Sequence, residues 1–210
     1  MGTARAQRRA FDRDEALEVA LREFWLHGYE TTSVASLTRA MGINPPSLYA
    51  AFGDKRQLFS EVVQRYAHTH GSYVTRALAE STARGVVETL LRLAAAEYTD
   101  TSHPPGCLVI HGATNCTPAA EDVKVELRAF REETKRALEE RINADIGAGR
   151  LHEGTDAGAL ATFYAAVLQG MSTQACDGVD REGLERVAET ALNAWPDERA
   201  FRGSPEPGVE

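Results

Sequence analysis

Four side chains suited to binding an anionic partner lie close together near the middle of the N-terminal third of this 210-residue chain. They are the amide of Asn44, the hydroxyl of Ser47, the phenol of Tyr49 and the ammonium group of Lys55. Groups of these types can donate or accept hydrogen bonds or supply a positive charge, so these residues are candidates for a binding surface. What the surface would bind depends on the elements that carry it.

A second group of reactive side chains surrounds Cys107 and His111, which lie four residues apart. A thiol after Pro-Pro-Gly at a helix start is favoured as a thiolate by the helix dipole, which would suit redox sensing. Together with the preceding His103, the pair would also suit a metal ion or, as Cys and His alone, a nucleophile. Cysteine is equally a small filler of apolar cores. Since no orienting third residue and no Gly-rich phosphate loop accompany the run, we predict no catalysis and no cofactor. Since the run has no acidic partner at a fixed spacing and no second Cys-His pair, we predict no metal centre.

The elements around the first group are two short helices joined by a tight turn. Val34, Leu37 and Met41 recur at helical spacing, and Gly42 ends that helix because glycine adopts a left-handed conformation at little cost. The Pro45-Pro46 pair suits the first turn of the next helix, where a missing backbone donor costs little. We predict caps from Thr31, Thr32 or Ser33, from Asn44 and from Asp54. Such a helix-turn-helix places its second helix in the DNA major groove.

The remaining pattern is also helical, so the predicted fold class is all-α without strands. Helices are predicted from Asp12 to Gly28, from Lys55 through Leu78, and over 85–98, 107–115, 117–147, 156–175 and 180–195. The segment 156–175 is apolar nearly all round, which indicates burial on several sides. His68 and His70 point in different directions on one helix and are expected at the surface.

The charge distribution is compatible with DNA binding although the net charge is −8. Residues 1–65 carry nine Lys/Arg and eight Asp/Glu, whereas the rest carries fourteen and twenty-three. The acidic excess therefore belongs to the C-terminal part, and basic residues at the two ends of the first part can approach phosphate: Arg5, Arg8, Arg9, Arg13, Lys55 and Arg56. With no long apolar segment, no secretory signal and no zinc-type cysteine spacing, we expect a cytoplasmic protein with free thiols and no membrane partner.

The run GINPPSLYAAFGDKRQLF, residues 42–59, resembles the TetR family (TetR/AcrR type) of transcriptional regulators. The resemblance extends over nearly the whole chain and implies four parts: a flexible basic arm (1–11), a helix-turn-helix DNA-binding domain (12–66, motif about 33–52), a ligand-binding and dimerisation domain (67–196) and a disordered tail (197–210). It implies a homodimer formed through residues 156–195 that binds double-stranded DNA at a palindromic operator. It further implies a repressor that a small-molecule effector releases from DNA.

The resemblance also implies roles for individual residues. Those expected to face DNA are Asn44, Pro46, Ser47 and Tyr49, and those expected to bind its backbone are Thr32, Ser33 and Lys55. Many members carry a His-Tyr pair where this chain has Ala50 and Ala51, so we expect few direct base contacts.

An apolar or aromatic effector would lie among the C-terminal helices. The candidate lining residues are Tyr66, Tyr98, Cys107, His111, Phe130, Phe163, Tyr164, Gln169 and Met171. The alternatives are a redox- or metal-responsive regulator that uses Cys107 and His111 with the same DNA-binding mode, and an all-helical interaction protein without a DNA function.

Overall fold

The computed structural model describes residues 12–114 and 116–196. Every regular element within these ranges is a helix, so the predicted all-α class is confirmed. The predicted basic arm (1–11) and disordered tail (197–210) lie outside the described residues. In the described part of the chain, no helix combines the length and apolarity that crossing a bilayer requires.

The order of elements follows the sequence pattern closely. The helices are α1 (Arg13–Thr31), α2 (Val34–Met41), α3 (Pro45–Phe52), α4 (Lys55–His68), α5 (Ser72–Leu78), α6 (Ala83–Tyr98), α7 (Leu108–His111), α8 (Glu121–Gly147), α9 (Ala157–Cys176) and α10 (Arg181–Leu192), with a 3-10 turn, Pro118–Ala120, before α8. Side-chain oxygens of Asp12, Ser33, Asn44 and Asp54 cap α1 to α4 by accepting backbone N–H groups. These bonds satisfy donors that a helix start otherwise leaves unpaired.

The turn between α2 and α3 depends on glycine. Gly42 has φ 67°, a left-handed conformation that side chains strain, and its N–H donates to the Arg39 carbonyl. The next residue, Ile43, donates its N–H to the Thr38 carbonyl at 3.0 Å. Together these bonds fix the direction in which α3 leaves the end of α2.

A small apolar core holds the two short helices against α1 and α4. Leu37 of α2 and Leu48 of α3 are fully buried, and Phe24 of α1 meets Phe59 of α4 edge to face at 5.0 Å. Burying one such side chain stabilises the fold by about 1.5–3 kcal/mol. The orientation of α3 is therefore set by long-range packing as well as by its caps.

The predicted continuous helix from Lys55 through Leu78 is wrong, because the chain breaks it at Thr69–Gly71. Thr69 has φ −105° and ψ −89°, and the Gly71 N–H turns back to the Tyr66 carbonyl at 2.7 Å. A Cβ on Gly71 would lie 3.0 Å from the Ala67 Cα, so a side chain here would require a small shift of the backbone. The break gives α5 a direction of its own.

The C-terminal helices surround α6, which packs against α5, α8, α9 and α10. Its buried face contains Leu91, Ala94 and Tyr98. At the N-terminal end of α6, the buried Asp145 carboxylate of α8 accepts the Ala83 N–H at 2.8 Å and pairs with Arg150 at 2.7 Å. This carboxylate fastens the end of α8 to the start of α6.

Candidate DNA-binding surface and effector cavity

Two polar side chains at the first turn of α3 are hydrogen-bonded to each other. Asn44 Oδ1 accepts the backbone N–H of Ser47 at 2.9 Å and the Ser47 hydroxyl at 2.8 Å. Pro45 and Pro46 follow the cap in the positions where proline costs no helical hydrogen bond. Because Asn44 caps through its oxygen, its NH2 donors remain for an external acceptor.

Burial divides α3 into an inner and an outer side. Leu48 and Phe52 are buried, whereas Tyr49 is 48% exposed. Asn44 and Pro46 are exposed as well. The outer side therefore offers a phenol, an amide and a flat proline ring to a partner, which suits a helix entering a DNA groove.

Lys55 begins α4 beside this outer side. Its Nζ lies 4.2 Å from the centre of the Tyr29 ring, within the range of a cation–π contact. Burial lowers the pKa of Lys55, and the nearby Glu30 carboxylate opposes that effect. A phosphate arriving here would meet both the ammonium group and the positive end of the α4 dipole.

Two of the predicted backbone-binding residues have structural roles of their own. Ser33 is exposed but forms a capping box in which its Oγ accepts the Ser36 N–H at 3.0 Å. Thr32 does not fit its predicted role, because the residue is 1% exposed and its hydroxyl donates to the Gly28 carbonyl at 2.7 Å. Gly28 has a non-helical backbone inside α1, and its carbonyl is the one that the buried Thr32 hydroxyl reaches.

Two arginines near α3 form ion pairs with carboxylates. Arg13 pairs with Glu61 at 2.6 Å. Arg56 pairs with Asp122 and, at 2.7 Å, with Glu126 of α8. Their expected phosphate contacts would require breaking these pairs, whereas the partly buried Lys55 has no ion pair with a described residue.

The C-terminal half contains a partly open cavity of about 730 Å³. Its walls come from α4, α5, α6, α8 and α9 and from the residues between α6 and α8. The lining residues include Tyr66, Tyr73, Leu90, Tyr98, Cys107, Val109, Ile110, Phe130, Arg131, Leu138, Leu168 and Gln169. A volume and apolar character of this kind match binding sites for small organic molecules.

Three tyrosines place hydroxyl groups in this cavity. The Tyr73 and Tyr98 hydroxyls hydrogen-bond to each other at 2.7 Å. The Tyr66 hydroxyl is buried beside the Cys107 thiol, without an aligned hydrogen bond to any described residue. Burial raises the pKa of all three phenols well above the ordinary value. The phenols therefore stay neutral, and Tyr66 can donate to a ligand.

The predicted effector list is divided by the structure. Five of its residues line the cavity: Tyr66, Tyr98, Cys107, Phe130 and Gln169. The other four are placed elsewhere: His111 bonds to Ser172, Tyr164 donates to the Ala191 carbonyl, Met171 is buried in the core, and Phe163 is 42% exposed on the outside of α9. Whether a predicted residue lines the cavity thus depends on the face of the helix on which it lies.

Cys107 and His111 do not form a pair. Both are tied to Ser172 of α9, whose Oγ accepts the Cys107 N–H at 2.8 Å and lies 2.9 Å from His111 Nε2. Burial raises the pKa of the Cys107 thiol, contrary to the predicted thiolate, and burial also lowers the pKa of His111. The neutral thiol and the neutral imidazole do not contact each other. The structure therefore gives no support to nucleophilic, redox or metal chemistry at this pair.

Some cavity residues escaped the sequence interpretation. Tyr73 follows Tyr66 by seven residues, a spacing that could have identified it. Arg131 and Lys135 of α8 also line the cavity, but charged residues on a long helix resemble a solvated face. Arg131 in fact donates to the Val109 carbonyl at 2.5 Å and so fixes the α7 segment over the cavity.

The outer face of α9 is largely apolar and uncovered within one protomer. Phe163 is the large residue of this face, and the small exposed residues around it are Ala159, Thr162, Ala166 and Gly170. On α10, Val187 is 39% exposed. A helical face of small and apolar residues suits contact with another helix pair.

Helices α4 and α8 join the two parts of the site. Both line the cavity, α4 through Tyr66 and α8 through Phe130. Near the reading helix the same two helices are linked by the Arg56 pairs and by a 2.7 Å hydrogen bond from Ser60 to Glu126. A displacement of either helix at the cavity would therefore reach the start of α4.

Comparisons with known proteins agree over both halves. The family model described as bacterial regulatory proteins, tetR family, matches residues 16–62, and the model for a tetracyclin repressor-like C-terminal domain matches residues 86–191. The HTH-type transcriptional repressor ComR of Escherichia coli K12 is 32% identical over 92% of this chain and 93% of its own length. The repressor BdcR from the same organism is 33% identical over 89% of this chain and 88% of its own.

Solved structures give the same result. A cysteine mutant of the TetR family transcriptional regulator CifR, in complex with 26-base-pair double-strand operator DNA, is 49% identical to this chain. It superposes with a TM-score of 0.84 and covers 90% of this chain and 100% of its own. A TetR transcriptional regulator from Rhodococcus sp. RHA1 is 38% identical with a TM-score of 0.60, over 86% of this chain and 97% of its own.

Proposed function

The chain belongs to the tetR family of bacterial regulatory proteins, and we propose that it is a homodimeric repressor that binds a palindromic operator in double-stranded DNA. The observation that carries this proposal is the outward polar side of α3, held by the core of a helix-turn-helix that closely matches an operator-bound relative. The family is not a class of enzymes. We place the action of the protein in the cytoplasm.

In the proposed complex α3 enters the major groove. Tyr49, Asn44 and Pro46 meet the bases, and Ser47 positions Asn44 through their hydrogen bond. Lys55 and the first turn of α4 bind phosphate, while Ser33 holds the start of α2. With Ala50 in place of a polar residue, phosphate contacts supply more of the affinity than base contacts do.

Dimerisation follows from the uncovered face of α9 and α10. Phe163 and Val187 would be buried against the same helices of a second protomer, which forms a four-helix contact through residues 156–195. A two-fold dimer places the reading helices about 34–36 Å apart, the distance between successive major grooves. That geometry explains why the operator would be palindromic.

The cavity is the proposed site of an apolar or aromatic effector with an acceptor for the Tyr66 hydroxyl. Helix α4 has 14 residues, so only about 20 Å separate its cavity end from Lys55. The dimer can adopt one spacing of its α3 helices that fits DNA and another that does not. An effector releases DNA if it binds the second form more tightly than the first. The Arg56 and Ser60 links make α8 move together with α4.

The test begins with selection of genomic DNA fragments that bind the purified protein, followed by footprinting of the enriched sequence. The proposal predicts a palindromic protected site and tighter binding than to a shuffled duplex. Tyr49→Ala should weaken operator binding strongly, whereas Arg92→Ala, which removes an exposed side chain from α6, should not. Equal affinity of the wild type for operator and shuffled duplexes would reject the proposal.

A further inference from the structure

Two histidines and a glutamate from distant parts of the chain meet at the junction of the two halves. His70 Nδ1 lies 2.9 Å from Glu97 Oε1, and His103 Nε2 lies 3.1 Å from the same oxygen. All three ligand atoms lie within 4.8 Å of one another. His70 follows α4, Glu97 belongs to α6, and His103 lies in the connection to α7. The surface position predicted for His70 is wrong, because the α4–α5 break turns its ring inward.

The orientation of the His103 ring points its second nitrogen at Glu97. The His103 side chain is 3% exposed, and its Nδ1 lies 2.9 Å from the Pro104 carbonyl oxygen. Because a carbonyl only accepts, Nδ1 donates to it, and Nε2 is the ring nitrogen that faces the carboxylate. Nε2 lies near Glu97 without hydrogen-bond alignment and has no hydrogen-bond partner among the described residues. A buried nitrogen of this kind beside a carboxylate has the geometry that a bound cation would satisfy.

We propose that His70, Glu97 and His103 bind a divalent first-row transition-metal ion. Imidazole nitrogen and carboxylate oxygen are the ligands that such ions take, and Zn²⁺ lies about 2.0–2.2 Å from each. Two ligands of a tetrahedral ion are then roughly 3.3 Å apart, close to the observed 2.9 and 3.1 Å. The His103 N–H to the Pro104 carbonyl is the outer contact that orients a metal-binding histidine.

The surroundings of the cluster suit a rigid site. The Trp25 ring of α1 stacks on His103 with centroids 4.6 Å apart and meets His70 at 5.0 Å. A bound ion would join the end of α4 to α6, while Trp25 shields one side and water completes the coordination. The site is separate from the effector cavity, whose lining contains none of the three ligand residues.

The test uses the full chain with the accessible thiols removed by Cys116→Ser and Cys176→Ser, since free thiols also bind Zn²⁺. After treatment with EDTA and its removal, calorimetric titration with ZnCl2 should show saturation at one ion per protomer. Glu97→Gln and His103→Asn should each weaken Zn²⁺ binding by about tenfold or more. His68→Asn, a change at an exposed histidine two residues from His70, should leave it unchanged.

Two further measurements guard against a folding artefact. Circular dichroism in EDTA identifies a variant that has lost its fold, and Glu97→Gln, which preserves shape, is the decisive substitution. In the parent protein, Zn²⁺ should raise the melting temperature because it binds only the folded state. No saturable Zn²⁺ binding, or equal binding by the folded Glu97→Gln and His68→Asn variants, would overturn the proposal and leave a structural histidine–carboxylate cluster.

Discussion

Replacing Lys55 by methionine should change how operator binding responds to salt. The Lys55 ammonium lies at the start of α4 over the Tyr29 ring, and no carboxylate among the described residues lies within ion-pair distance of it. Arg13 and Arg56, by contrast, are already paired with carboxylates. Lys55 is therefore the cation of this set that gains most from a phosphate.

The magnitude follows from counterion release. Each neutralised phosphate contributes about 0.9 to the slope of log affinity against log salt concentration, so a dimer that loses both Lys55 contacts should lose about 1.8. Methionine keeps an apolar stem over Tyr29 and removes a cation–π contact of about 0.5–1 kcal/mol. The variant should therefore remain folded, and its weaker binding should not reflect unfolding.

Fluorescence anisotropy with the selected operator duplex over a range of salt concentrations gives this slope. Tyr49→Ala should lower affinity at every salt concentration and leave the slope unchanged, because the phenol carries no charge. Arg92→Met removes an exposed cation from α6 and should alter neither quantity. An unchanged salt slope for Lys55→Met, or an equal decrease of the slope for Arg92→Met, would refute the proposed contact between Lys55 and phosphate.

Three further substitutions or modifications test the rest of the account. Tyr66→Phe removes a buried hydroxyl that lies beside the Cys107 thiol without an aligned hydrogen bond, so urea denaturation should show an unfolding free energy changed by no more than about 1 kcal/mol, while effector-induced release weakens. Phe163→Asp places charge on the proposed dimer face and should give monomers in analytical ultracentrifugation, whereas Leu26→Asp, at an exposed site on α1, should stay dimeric. Iodoacetamide at pH 8 should modify the exposed Cys176 before Cys107, because burial raises the pKa of the Cys107 thiol and hides it; early labelling of Cys107 would contradict the buried site.

The helix-turn-helix could be predicted from the sequence because local rules determine its caps and its turn. The caps at Ser33, Asn44 and Asp54 and the left-handed Gly42 depend on residues within one helical turn, so their types and spacing determine them. The helical pattern of α8 and α10 was equally visible, because each carries a periodic apolar face.

Properties that depend on distant packing were not predictable from the sequence. Thr32 and Ser33 are chemically alike, yet the first is buried with its hydroxyl on the Gly28 carbonyl and the second is exposed. On α9, Gln169 lines the cavity while Met171 does not, and the difference depends on how α9 packs against its neighbours. The meeting of His70 with His103 depends on the break after α4 and on the path from α6 to α7.

The central claim is that two protomers bind a specific palindromic duplex through α3. The most direct measurement is an anisotropy titration of the selected operator at physiological salt, with a duplex of the same composition but scrambled half-sites as the reference. We predict saturation at one dimer per operator and an affinity about 10³-fold or more above that for the scrambled duplex. Equal affinity for the two duplexes would contradict the account.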